Sequence, residues 1–84
     1  MEYFEMWYAD KMSMVETMER NVRNDLECGY NPDGYLIIKQ YEAINNYEED
    51  IREALEDFKY MDEKAIERWC KFDMLKRGVI DGGF

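Results

Sequence analysis

Apolar residues in the first third of the chain step by three or four positions: Phe4, Tyr8, Met12, Val15, Met18, Val22 and Leu26. That spacing makes one face of an α-helix, and Trp7 and Met14 widen it near its start. No Gly or Pro interrupts this stretch, and Gly29 stands where a left-handed residue closes a helix. A helix over residues 2–28 is predicted. A second face of the same period runs through Ile37, Tyr41, Ile44, Tyr47, Ile51, Leu55 and Phe58. Asn31 is a good helix cap, Pro32 suits the first helical position, and Asp33 suits the first turn. The second helix is therefore predicted over 32–61. A third, over 62–77, opens on Asp62 and Glu63, carries Ile66, Trp69, Cys70, Phe72, Met74 and Leu75, and closes on Lys76, Arg77 and Gly78. Residues 78–84 read as a tail.

No segment alternates with the period of a strand. The break of about three residues between two long helices predicts an antiparallel hairpin. The fold expected is all-α, one domain over 1–84, with a shorter third helix packed on the hairpin. A hairpin alone leaves one side of its apolar face wet. The third helix can cover part of that side and a second copy of the chain the rest, which makes a homodimer the alternative to a monomer.

Composition sharpens this picture. The chain has 84 residues, 46% hydrophobic and 15% aromatic, with seven Met and seven Tyr. That is too apolar for acidic disorder. Twenty Asp and Glu against eleven Lys and Arg give a net charge of -9. A chain so acidic repels phosphate, which argues against nucleic acid or an anionic membrane surface as direct partners. There is no His, which removes the commonest general base and metal ligand. Cys28 and Cys70 form no CxxC pair and are expected to be free, buried thiols. No calcium loop or glycine-rich phosphate loop is present, so neither cofactor nor metal is expected, and no catalytic set is assembled. With no leader pattern and no membrane-length apolar run, the expected location is the reduced cytoplasm.

The charge is unevenly spread. Residues 1–28 and residues 35–61 each carry seven acids and three bases, whereas residues 62–84 carry five of each. The densest acidic row is Glu48, Glu49, Asp50, Glu53, Glu56 and Asp57, broken only by Arg52. Such a row solvates a small protein. It also sets carboxylates about 4.5–6 Å apart along a helix, as a run of phosphates would be. A second candidate surface is the aromatic N-terminal turn, Tyr3, Phe4 and Trp7, which holds more apolar area than one helix face can bury.

In size, charge and the acidic facing of its second helix, the chain resembles the short, acidic inhibitors encoded by phages and mobile elements, anti-CRISPR proteins among them. The resemblance rests on no shared motif. It implies a basic, nucleic-acid-binding effector, such as a CRISPR nuclease, as the protein bound and blocked, and assigns no individual residue. The alternative expectation is a helical interaction or dimerisation module whose acids only solvate. DNA binding through Lys64, Arg68, Lys71, Lys76 and Arg77 is a third and more distant reading, weakened by neighbouring acids.

Overall fold

The computed structural model describes residues 1–80 and contains three helices: α1 (Glu2–Glu27), α2 (Tyr35–Phe58) and α3 (Glu63–Lys76). The all-α expectation holds, and α3 packs on the hairpin. The last part of the expected tail, 81–84, lies outside the described residues.

Helix ends follow local chemistry. At the end of α1, Gly29 takes φ +97°, its N–H reaches the Leu26 carbonyl, and the Tyr30 N–H reaches Asp25 O. These are the paired bonds of a Schellman motif. Gly78 (φ +75°) closes α3 in the same way, with bonds from Gly78 to Leu75 and from Val79 to Met74. Asp62 caps α3 by accepting the Ala65 N–H at 2.8 Å.

Asn31 does not cap α2. Its Oδ1 accepts the Asp33 N–H at 3.0 Å and its carbonyl accepts the Gly34 N–H at 2.9 Å. Asn-Pro-Asp-Gly thus closes on itself as a β-turn, with Pro second and Gly fourth as such turns prefer. Gly34 becomes the N-cap, in extended backbone, and α2 starts at Tyr35 rather than 32. Seven residues, 28–34, therefore join the helices instead of about three. The helix also stops at Phe58 rather than 61, and residues 59–61 form a turn.

In α2 the buried residues are Ile37, Ile44, Ile51 and Phe58, seven apart, the repeat that keeps one seam against a neighbouring helix. Val22 of α1 packs with Ile37 and Ile44, and Val15 shares a core with Ile51 and Phe58, so the two helices run antiparallel. Ile66, Cys70 and Met74 of α3 join Trp7, Val15, Ile51 and Phe58 in the larger core. Helix α3 runs parallel to α1: Glu67 meets Tyr3 and Phe4, Asp73 meets Trp7, and Arg77 meets Asp10. It therefore covers only the end of the hairpin away from the turn. The described residues span 47 × 28 × 16 Å.

This placement corrects several expectations. Because α3 lies on the Trp7 side of α1, the buried face there passes through Trp7, and Tyr8 and Met12 of the expected stripe are exposed. Phe72 on the outer side of α3 is 66% exposed, and Cys28 is an exposed thiol because it stands at the helix end.

Candidate functional site

Trp7 is the centre from which the site is built. It is 1% exposed and therefore does not belong to an exposed aromatic patch. Its ring meets Phe58 and Trp69 edge to face, with centroids 5.4 and 5.5 Å away, the geometry that ring quadrupoles favour. Tyr3 and Phe4 are half-buried against the same core. Packing against α2 and α3 thus takes up part of the apolar area of the N-terminal turn, while Met6 and Tyr8 stay exposed. Trp69 closes the cluster from outside: it stacks edge-on to Phe58 at 5.2 Å and remains 40% exposed.

The polar edge of Trp7 is fixed by α3. Its Nε1 donates to Asp73 Oδ2 at 2.9 Å. The same oxygen accepts from Arg77 Nε at 3.0 Å, and Lys11 Nζ lies 3.9 Å away. Arg77 also reaches Asp10 Oδ2 at 2.9 Å, so one guanidinium ties α3 to α1. Burial works against the Arg77 charge, but its bonds with Asp10 and Asp73 outweigh that and raise its pKa. Lys11 lies over the Tyr47 ring at 5.0 Å and the Trp7 ring at 5.9 Å. Burial raises the Tyr47 pKa, opposed by the charge of Arg77 and aided by Asp10 and Asp73.

A second carboxylate of α3 serves α1 directly. Met1, the N-cap, supplies no side-chain bond. Glu67 accepts the Tyr3 N–H at 3.1 Å and the Phe4 N–H at 2.7 Å, covering donors that a helix start leaves open. Burial pushes the Glu67 pKa up, but the Phe4 and Tyr3 N–H groups and the nearby amino terminus prevail and lower it.

At about 100° per residue, Glu49, Asp50, Glu53, Glu56 and Asp57 fall within about 120° of one another on the exposed side of α2, and Glu48 leaves it. Asp50, Glu53 and Asp57 face the side where α3 packs. With Trp7, Lys11, Ala54, Trp69 and Asp73 they line a groove of about 310 Å³. Lys11 is engaged by Asp73 and the two rings, while Asp50, Glu53 and Asp57 enter no ion pair among the described residues. Glu48 stands on the other flank, in a groove with Tyr8, Met12, Glu16, Glu19 and Arg52. Glu49 and Glu56 are exposed and line neither groove, and Glu56 pairs with Lys59 at 2.9 Å. Glu48 alone therefore leaves the outer face that the other five share, and of those five Asp50, Glu53 and Asp57 line the groove beside α3.

Sequence reasoning missed Lys11, Glu67 and Asp73; it gave Asp10 only to the acidity of the first helix, and Arg77 only to the end of the third and to a DNA-binding set, not to the pairing of α3 with α1. The i,i+4 pair Asp73–Arg77 was a visible signal, but nothing local marks Glu67, whose partners lie more than sixty residues away. Among the described residues, no group of three or more Cys, Asp or Glu side chains is placed to hold a metal ion. No helix among them is long and apolar enough to cross a membrane. Comparison with protein-family models, curated proteins and solved structures finds no match to this chain.

Proposed function

We propose that this chain is a protein-binding inhibitor that lays its acidic groove against a basic, nucleic-acid-binding surface of a partner. One observation carries the reading: Asp50, Glu53 and Asp57, in no ion pair among the described residues, line one groove with the exposed indole of Trp69. An Arg or Lys entering this groove finds carboxylates for its charge and an aromatic face for cation–π contact. The rest of the acid on the hairpin steers a basic partner toward it. Occupying such a surface excludes the nucleic acid that needs the same cations. A CRISPR nuclease is one effector with a surface of this kind.

The test is a titration of purified nucleic-acid-binding effectors, CRISPR nucleases among them, with displacement of labelled nucleic acid as readout at low and high salt. Binding is expected to weaken with salt and to be lost in the triple variant Asp50→Lys, Glu53→Lys, Asp57→Lys. These three positions are exposed, so helicity checked by circular dichroism separates lost binding from lost fold. Undiminished displacement by the triple variant refutes the reading.

A further inference from the structure

The opposite flank of the hairpin is a separate feature. Here α3 is absent, and exposed Tyr8, Met12 and Tyr41 flank the buried seam residues Val15, Val22, Ile44 and Ile51. Near the turn, Val22, Leu26, Tyr41 and Ile44 line a groove with Glu19 and Arg23. Farther along, Tyr8, Met12, Val15, Ile51 and Leu55 continue it with Glu16, Glu48 and Arg52. Glu19 belongs to both stretches, which makes them one furrow of apolar floor with charged banks. Tyr41 is 48% exposed there, and Tyr8 and Met12 are also exposed.

We propose that a second copy of this chain docks on this furrow, pairing two hairpins into a four-helix layer with α3 on each outer side. The charges on the banks select that occupant. Three are acids, Glu16, Glu19 and Glu48, and two are bases, Arg23 and Arg52. None of the five enters an ion pair among the described residues, although Glu19–Arg23 and Glu48–Arg52 have i,i+4 spacing. A strongly basic partner would set its cations against Arg23 and Arg52. A second copy brings both signs to both signs, as a two-fold interface requires.

The size of the face sets an upper bound on the contact. A helix of 26 residues is about 39 Å long, and two helices side by side are about 20 Å wide. Docked over its whole face, the hairpin covers at most roughly 780 Å² per partner, against the roughly 800 Å² of a standard-size interface. The furrow and the Trp69 groove lie on different flanks, so pairing leaves both acidic grooves open in the dimer.

Sedimentation equilibrium or light scattering across concentration tests the proposal. The full chain is expected to show the mass of two copies, with a dissociation constant of about 1 μM or tighter. Met12→Arg and Tyr41→Arg each place a charge on the apolar floor at an exposed position and are expected to weaken pairing by at least a hundredfold. Phe72→Arg, on the outer side of α3, is expected to leave the dimer intact. A wild-type chain that stays monomeric at about 100 μM, a hundred times the expected constant, overturns the proposal. So does a dimer that persists in both furrow variants, or one that Phe72→Arg alone dissociates. Displacement of nucleic acid from an effector is a different readout, so the two proposals fail separately.

Discussion

Asp73 and Trp7 should be energetically coupled, because one carboxylate oxygen holds the indole N–H of a core residue. The perturbation is a double-mutant cycle of Trp7→Phe and Asp73→Ala. Trp7→Phe keeps an aromatic ring in contact with Phe58 and Trp69 but removes the donor at 2.9 Å and part of the buried volume. Asp73→Ala removes the acceptor, leaves the 1% exposed Trp7 with an unpaired N–H, and leaves Arg77 only Asp10. A hydrogen bond to a charged group contributes about 1.5–3 kcal/mol, and Asp73 is less than a third exposed, so solvent screening reduces this little. The expected coupling is therefore about 1.5–3 kcal/mol. A domain of this size has about 4–12 kcal/mol in total, which makes either single variant costly. At about 4–8 °C per kcal/mol for a domain of this size, a loss of 2 kcal/mol lowers Tm by roughly 8–16 °C. Urea denaturation followed by far-UV circular dichroism measures all four proteins, and tryptophan fluorescence, from Trp69 alone where Trp7 is replaced, gives a second probe of two-state behaviour. A coupling below about 0.5 kcal/mol, the scatter of independent sites, would show that the bond does not organise the junction of α1 and α3.

Glu67→Gln should destabilise the chain at neutral pH, because an amide retains one acceptor oxygen and no charge for the two N–H groups of α1. The pKa of Glu67 is lowered on folding from its ordinary 4.5, so the carboxylate's contribution is complete above that value and disappears as pH falls through the folded pKa. Paired denaturation curves should show the gap between wild type and variant closing on acidification; a gap independent of pH contradicts the capping role. Cys28 should react with a maleimide in the native protein, whereas Cys70, buried and with its thiol pushed up to about 11, should react only after unfolding, as mass spectrometry with and without denaturant will resolve. Gly29→Ala should cost about 1–2 kcal/mol. An added Cβ meets nothing within 4 Å, so the cost is that of the backbone at φ +97° alone, and a neutral thermal melt would contradict it.

Periodicity and punctuation in the sequence determined three helices, their order, the glycine stops at Gly29 and Gly78, and the Asp62 cap. Each depends on residues within a turn or two of one another, and local rules suffice there. They failed at Asn31, where two local solutions, a cap and a closed turn, compete for the same side chain. The acidity of the hairpin was equally plain, and so was the density of the row from Glu48 to Asp57. Which of those carboxylates share a groove was not, because α3 chooses one flank of α2 and gives Asp50, Glu53 and Asp57 a neighbour in Trp69 that Glu48 does not have. The same choice buries Trp7 and exposes Tyr8, adjacent residues that both fit an apolar pattern about 100° apart on the helix. Period alone tells which residues can face a core. Only the position of the third helix decides which of them do, since burial and pairing depend on what packs across the gap, and Asp73 and Glu67 reach their partners through space rather than along the chain.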